Sequence, residues 1–477
     1  MNLISFFNKN NLIIVVVTSY IFFWDIFHTL GIKFDPRIIT LLLFFILLKD
    51  IFRDLKNKKF EFLFIASIIL FFLVIHSYFV GNLFNLKLLL SLIFLIYLFG
   101  IAYYFYDIIL KNKKKIFYLF VSLFLISIVF HYFFLEYASN REPFSCGGIK
   151  NIFGGKNDFD SSIFILHFLS SYSLIFNENS HLAMSGVPVI VYSVYLFSQK
   201  SENRFKVTII IIFILICFLK SSATLIVGTA FSLLAVIIFE FKRINKYFLI
   251  LSIILISINS FVFFQDKVCV NKLTLDNHNL EEFYKFNPYS EVNVRNQKIL
   301  EIKKKLDNSN TGQAEINSLI ANLKEHEEFI INKKQEIKKR PTNIGSLSSD
   351  VFFHALKVTY NTILSDPFGR GFQGYQLAFN DYNAANFVQK KWLKAFNDKD
   401  ASNTLFKIVT EFGVLSIFLY LMLLIIFLSN KITIDNKIFL MSFIVTQTIR
   451  GAGYFNGAFL FILFLLFMAY FKKREIL

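Results

Sequence analysis

Residues 61–81 read EFLFIASIILFFLVIHSYFVG and contain no Asp, Glu, Lys or Arg after Glu61. A run of about 20 predominantly apolar residues is the length that an α-helix needs to cross the hydrocarbon core of a bilayer. Similar runs recur at 12–30, 37–52, 87–106, 115–135, 181–198, 205–221, 223–241, 246–264, 404–428, 437–452 and 455–471. The sequence therefore predicts an all-α polytopic membrane protein with about 12 transmembrane helices.

The composition agrees with this class. Of the 477 residues, 55% are hydrophobic and 17% are charged, whereas soluble proteins have about 25% charged residues. This composition excludes a water-soluble globular protein. The net charge of +17 does not indicate nucleic acid as a partner, because Lys and Arg of membrane proteins concentrate in cytoplasmic loops.

The distribution of Lys and Arg predicts the topology. The larger basic clusters, such as Lys113–Lys115 and Lys472–Arg474, fall in the loops that lie inside when the N-terminus is cytoplasmic. Both termini are therefore predicted to be cytoplasmic. An apolar run at 161–176 would turn the later Lys-rich loops outward if it crossed. We therefore place the segment near 159–177 on the outer side, as an interfacial or re-entrant segment.

The predicted spans define three regions. Residues 1–264 hold helices 1–9 and residues 404–477 hold helices 10–12, while residues 265–403 form a large extracytoplasmic loop domain. Helical spacing in this domain predicts an antiparallel hairpin from 291–305 and 313–339. It also predicts a helix from Ser348 or Ser349 to Ser365, with Phe352, Leu356, Tyr360 and Ile363 on one side. The glycines that follow Pro367 predict tight, non-helical backbone.

Polar side chains of the spans are predicted to lie at the outer ends of the helices, whereas transporters place such groups near the midplane. This placement predicts a polar chamber at the outer leaflet. The cations Lys220 and Arg450 beside the carboxylates Glu178 and Glu411 suit an anionic lipid head group next to a proton acceptor. For Lys407 and Glu411, spaced i,i+4, a structural ion pair is the alternative.

Four stretches resemble motifs of the O-antigen polymerases and O-antigen ligases, which are polytopic bacterial enzymes of surface polysaccharide assembly. They are FLKSSATL at 218–225, DPFGRGF at 366–372, DASNTL at 400–405 with EFGVL at 411–415, and TIRGAGYF at 448–455. The likeness covers residues 218–455, and the first 180 residues match in topology alone. Lys220 stands where an Arg is usual. Ser402 stands where ligases carry His, which favours a polymerase.

The resemblance implies a glycosyltransferase of the bacterial inner (cytoplasmic) membrane. It would move a glycan from undecaprenyl pyrophosphate to a lipid-linked repeat unit at the periplasmic face. A chain-length regulator and a flippase are the implied protein partners, and no cofactor is expected. An O-antigen ligase is the nearest alternative. A glycolipid flippase or other transporter is the alternative from a different class.

The candidate site residues follow from this chemistry. Guanidinium and ammonium groups stabilise a developing diphosphate charge, and the acceptor hydroxyl needs a base. A turn Arg is the alternative for Arg370, and snorkelling to the interface is the alternative for Lys220 and Arg450. The predicted substrate-binding residues are Lys220, Arg370, Arg450, Asn403 and Glu411. The predicted catalytic base is Glu178 or His181, and helix N-capping by Asn179 or Ser180 without a role for the His is the alternative. Asn403 is also expected to orient or cap the helix that follows it.

Two short patterns receive weaker interpretations. Asp158-Phe159-Asp160 and Asp398-Lys399-Asp400 fit a metal-binding DxD pattern, but turn and cap roles are favoured and no metal is predicted. Cys146 and Cys269 are both expected outside, in an oxidising compartment, and are predicted to pair as a disulfide.

Overall fold

The computed structural model describes residues 8–23, 36–82, 86–134, 179–199, 204–219, 222–258, 260, 298–304, 317–328, 347–386 and 397–472. These residues form helices and connecting turns and contain no strand. Four helices are long and apolar enough to cross a membrane: Glu61–Phe79, Leu86–Lys111, His181–Ser198 and the broken helix Thr404–Leu428. The architecture is that of an all-α membrane protein.

The first nine helices run from residue 9 to residue 258. They are α1 (Lys9–Phe22), α2 (Phe44–Lys56), α3 (Glu61–Phe79), α4 (Leu86–Lys111), α5 (Lys113–Phe134), α6 (Asn179–Ser198), α7 (Arg204–Leu219), α8 (Ala223–Glu240) and α9 (Lys246–Ile258). A 3₁₀ helix, Pro36–Leu43, leads directly into α2.

Eight further helices follow. They are α10 (298–304), α11 (317–328), α12 (Leu347–Ser365), α13 (Tyr375–Ala385), α14 (Thr404–Phe412), α15 (Ser416–Leu428), α16 (Ile434–Ile449) and α17 (Phe459–Phe471). Short 3₁₀ turns, Gly413–Leu415 and Asn456–Ala458, precede α15 and α17. Each of the predicted apolar runs overlaps with one or two of these helices.

The centre of the bundle is formed by α6, α8 and α16, which pack against one another. Gly228 of α8 lets Val187 of α6 approach, since a Cβ at Gly228 would lie 3.3 Å from the Val187 side chain. Small residues at helix contacts allow this close approach. In α6, 89% of an 18-residue apolar stretch is buried, whereas the corresponding share in α3 is 28%. Helix α3 is therefore peripheral, with Phe64, Phe71 and Phe79 on its exposed side.

The bundle has two chemically different ends. The basic end is defined by the ion pairs Lys9–Asp50, Lys113–Asp435 and Lys437–Glu240. The glycine end, at the opposite ends of these helices, is defined by residues 366–376, 397–415 and 450–458. Helix α5 begins at the basic end, because its first residue, Lys113, pairs with Asp435. Helix α6 ends there, because the Tyr192 hydroxyl in its second half donates to Asp435 at 2.8 Å. The predicted interfacial segment near 159–177, which connects these two helices, lies outside the described residues.

In the predicted loop domain, α10 and α11 coincide with the expected hairpin and are joined by a Lys303–Glu327 ion pair at 3.4 Å. The predicted helix from Ser348 or Ser349 to Ser365 is found as α12. Val351, Ala355 and Val358 are buried, while Leu356 and Tyr360, on the predicted apolar side, are exposed. Small side chains let α12 pack closely on α14, where the Thr410 hydroxyl donates to the Thr359 hydroxyl at 2.9 Å.

Candidate functional site

Two motif-bearing segments, separated by about 40 residues in the sequence, are bonded through their backbones at the glycine end. The amide of Arg370 donates to Thr410 O at 3.0 Å, and that of Gly371 donates to Glu411 O at 2.8 Å. In return, the amide of Val414 donates to Pro367 O at 2.8 Å. The segments 367–371 and 410–414 thus form one rigid clasp, which we call the glycine clasp.

Glycine is required on both sides of the glycine clasp. Gly369 has φ +80°, and a Cβ there would lie 2.5 Å from the Glu411 backbone. Gly413 has φ +52°, and a Cβ there would overlap the Pro367 carbonyl oxygen. Positive φ and backbone contact this close are both available to glycine and strongly disfavour other residues. The prediction of tight, non-helical backbone after Pro367 is confirmed.

Helix α3 holds the glycine clasp from the other side. His76 Nε2 lies 2.9 Å from Phe368 O, and the His76 ring stacks between Phe72 and Phe412. One turn beyond α3, the Asn82 side chain donates to Phe372 O at 3.0 Å. The polar residues at this end of α3 therefore position the glycine segment.

Glu411 lies at the centre of the glycine clasp and is fully buried. Its carboxylate accepts hydrogen bonds from the backbone amides of Gln373 at 3.0 Å and Tyr375 at 3.3 Å. Lys407 Nζ lies 3.7 Å from the same carboxylate, so the alternative of a structural ion pair is the one found. Its burial and its two amide donors indicate a structural role for Glu411 in the glycine clasp. Its role in substrate binding stays a prediction.

A second junction joins the entry of α14 to the end of α16. Gly451 N donates to Ser402 O at 3.3 Å, and the Arg450 guanidinium lies 3.5 Å from the same oxygen. Asn403 is buried, and its side chain accepts from Phe406 N at 2.7 Å as the N-cap of α14. The capping role expected for Asn403 is therefore confirmed. Its role in substrate binding stays a prediction.

Between the glycine end, the start of α4 and the 3₁₀ helix Pro36–Leu43 is a cavity of about 640 Å³, which we call the basic pocket. Its lining includes four cations and one carboxylate: Arg37, Lys87, Lys399, Lys407 and Asp400. An apolar wall of Ile38, Leu41, Leu86, Leu90 and Phe94 completes it. Four of these wall residues, Ile38, Leu41, Leu86 and Leu90, are 45–72% exposed. The basic pocket suits an anionic group attached to an apolar chain.

Hydrogen bonds hold the charged side chains of the basic pocket in place. Lys407 Nζ donates to the Lys399 carbonyl and lies 5.1 Å from the centroid of the Tyr454 ring. Lys87 Nζ donates to the Gln376 side chain at 3.1 Å, and Gln376 in turn donates to Asp398 at 2.9 Å. Burial raises the pKa of Asp400 above its ordinary value, and the nearby lysines oppose this shift in part.

Backbone strain is concentrated around this site. Apart from Lys58, the non-glycine residues of the described chain that have positive φ all belong to the glycine end: Gln373, Asn397, Ala401, Ser402 and Ala458. Each such conformation costs on the order of 1–3 kcal/mol and tends to persist at functional sites. This strain supports a functional role for the glycine end.

The structure places the other predicted site residues as follows. Arg370 forms ion pairs with Asp366 at 2.9 Å and Asp381 at 3.2 Å and is not among the residues that line the basic pocket. His181 is half-buried in the first turn of α6 and does not line the basic pocket either. The remaining predicted positions, Glu178, Lys220, Cys146, Cys269, Asp158 and Asp160, lie outside the described residues.

Sequence reasoning missed the cations Arg37, Lys87 and Lys399 as members of a site. Arg37 and Lys87 are single basic residues beside predicted outer helix ends, and nothing local distinguishes them from snorkelling side chains. In the sequence, Asp400 stands out only as part of the DxD pattern at 398–400. In the part of the chain that the structure describes, no three His, Cys, Asp or Glu residues are grouped as metal ligands would be.

No family model, curated protein or solved structure shows significant similarity to the chain.

Proposed function

We propose that the protein is a surface polysaccharide polymerase of the O-antigen type. It transfers a glycan from a polyprenyl diphosphate carrier to a hydroxyl of a lipid-linked repeat unit in the basic pocket. In this proposal twelve helices span a bacterial inner membrane, both termini are cytoplasmic and the glycine end faces the periplasm.

The main support is the convergence of three of the four motif stretches. The segments 366–372, 400–415 and 448–455 are separate in sequence, yet they meet through backbone hydrogen bonds beside one charged cavity. If the three motifs lay in separate parts of the structure, their order in the sequence alone would give little support to the proposal.

The lining of the basic pocket suits the chemistry of this reaction. Lys87, Lys399 and Arg37 can neutralise a diphosphate leaving group as its charge develops. The exposed wall around Leu41 and Leu86 offers an apolar surface to an isoprenoid chain that enters from the bilayer. Holding two lipid-linked substrates in one cavity also removes much of the entropic barrier to transfer.

One observation favours a polymerase over a ligase. Ser402, at the position where ligases carry His, is buried. Its hydroxyl accepts a hydrogen bond from the Asn397 side chain at 3.0 Å. No imidazole is available at this position, so transfer by this chain must use another base.

The test is a single-turnover assay of the full chain in lipid nanodiscs. The substrate is labelled lipid-linked repeat units extracted from cells that lack this protein. Growth of polymer without any lipid A core acceptor is the expected result. Transfer that required a core acceptor would identify a ligase. In vesicles, translocation of the lipid-linked sugar without transfer would identify a flippase.

A further inference from the structure

We propose that the Asp400 carboxylate is the catalytic base of the basic pocket and accepts the proton of the acceptor hydroxyl. This inference rests on the proposed function. It assigns to Asp400 the role that the sequence assigned to Glu178 or His181.

The first argument is position. Among the described residues that line the basic pocket, Asp400 is the one carboxylate. It is half-buried, and its Oδ1 lies so near the backbone of Gly453 that a Cβ at Gly453 would be 2.5 Å away. Gly453, with φ +84°, therefore leaves room for this carboxylate beside the cavity.

The second argument is that neighbouring carboxylates are engaged elsewhere. Glu411 is fully buried in the glycine clasp. Asp398 accepts the Gln376 side chain at 2.9 Å. Asp366 and Asp381 pair with Arg370.

The third argument is the rigidity of the turn that carries Asp400. The amides of Asp400 and Ala401 both donate to Asn397 O, at 3.3 and 3.2 Å. Ala401 and Ser402 adopt positive φ in succession. A turn held against this strain fixes the carboxylate relative to the cations, as a proton acceptor in a preorganised site requires.

The electrostatics around Asp400 fit a base. The charged groups that face it are Lys407 of α14, Lys87 of α4, and Asp398 and Lys399 of its own turn. Burial raises its pKa, which makes the carboxylate a stronger base than an exposed Asp. The three lysines oppose this rise in part, since they favour the ionised form, which is the form that accepts a proton.

The proposed step balances as follows. The acceptor O–H bond breaks, its proton passes to an Asp400 oxygen, and the acceptor oxygen forms a bond to the anomeric carbon of the donor glycan. The bond between that carbon and the diphosphate oxygen breaks, and its electron pair stays on the diphosphate beside Lys87 and Lys399. The proton on Asp400 then leaves to water.

The experiment compares Asp400→Asn with Glu327→Gln in the full chain, using the lipid-linked repeat assay. Glu327 is a partly exposed carboxylate of α11 that does not line the basic pocket. We expect Asp400→Asn to lower the transfer rate by about 10²-fold or more, the range of general base catalysis. Glu327→Gln should stay near the wild-type rate. Asp400→Glu should recover part of the lost activity.

Two further readouts separate a base from a structural residue. In the wild type, kcat/KM should fall on acidification through the raised pKa of Asp400, and this acidic limb should be missing in Asp400→Asn. The Kd for undecaprenyl diphosphate should stay equal or decrease, because the substitution removes a negative charge from a cationic cavity. Weaker binding with an unchanged pH profile would show a structural role and overturn the proposal.

The outcomes also distinguish this inference from the proposed function. If the wild type transfers glycan and Asp400→Asn transfers it equally fast at every pH, Asp400 is not the base while the proposed function stands. If the wild type transfers nothing, the proposed function fails first. If Asp400→Asn does not fold, the test uses Asp400→Glu instead. If the acidic limb of the kcat/KM profile is the same in Asp400→Glu as in the wild type, the proposal is also overturned.

Discussion

Lysines occur at both the basic end and the glycine end, but in different surroundings. The three ion pairs that define the basic end place each of their lysines against a carboxylate, as in Lys113–Asp435 at 2.5 Å and Lys9–Asp50 at 2.8 Å. At the glycine end Lys407 also pairs with the buried Glu411 at 3.7 Å, but four cations and a single carboxylate line an open cavity. Paired charges hold helices together, whereas an excess of one sign around a cavity attracts a ligand of the opposite sign. The position of the carboxylates therefore distinguishes structural lysines from binding lysines.

The two ends also differ in backbone. Charged side chains join the helices at the basic end. At the glycine end, backbone amides and carbonyls join segments that are distant in sequence, and glycines permit the contact. Such a junction tolerates less change than an ion pair, because a backbone clash has no rotamer that relieves it.

The largest expected effect tests this backbone difference. Gly413→Ala should prevent recovery of folded protein, because a Cβ would overlap the Pro367 carbonyl at a residue with φ +52°. The matched control is Gly81→Ala, at φ +72° with nothing within 4 Å of the added Cβ. The control should cost on the order of 1–2 kcal/mol. Size-exclusion chromatography and thermal unfolding in detergent measure both variants. Equal behaviour would show that the clash is absent.

The next effect tests the ion pairs of the basic end. Lys437→Ala should destabilise the protein by about 3 kcal/mol, because it removes a cation from the fully buried Glu240. The double variant Lys437→Met with Glu240→Leu should recover most of this loss, since no buried charge is left without its partner. The apparent Tm in detergent is the measurement. A double variant as unstable as the single one would contradict this account of the pair.

Lysine substitution at the glycine end should affect binding and leave stability largely unchanged. Lys87→Gln should weaken undecaprenyl diphosphate binding about tenfold, which corresponds to about 1.4 kcal/mol, with little change in Tm. Lys303→Gln, on α10 outside the basic pocket, is the control and should leave the Kd unchanged. Binding is measured by fluorescence titration in nanodiscs. If Lys87→Gln lowered Tm as Lys437→Ala does, the distinction between the two ends would fail.

The smallest effect compares helix caps at the two ends. Asn403→Ala should cost about 1–2 kcal/mol, because its side chain accepts from Phe406 N at 2.7 Å in a buried setting. Asn8→Ala at the basic end removes an exposed bond of 3.3 Å and should cost about 0.5 kcal/mol. Differential scanning fluorimetry can rank the two variants. A larger loss for Asn8→Ala would reverse the comparison.

Local sequence determines much of this architecture. The predicted helix over residues 61–81 is found as α3 because a long apolar run can satisfy its backbone in a bilayer by forming a helix. The glycines after Pro367 were predicted to mark tight backbone for an equally local reason. For α12, the local pattern predicted the helix, whereas the burial of Val351, Ala355 and Val358 depends on the packing of α12 against α14.

By itself, the sequence determined the class of protein, the helical runs and the motif segments, because these depend on residues within a few turns of one another. The tertiary structure alone decided which charges meet. Arg37 and Lys87 reach Lys399 and Asp400 across about 300 residues of chain, and Glu411 is buried because a distant glycine turn bonds to it. A charge becomes part of a site or of a scaffold through partners that packing brings together, and no local pattern encodes that choice.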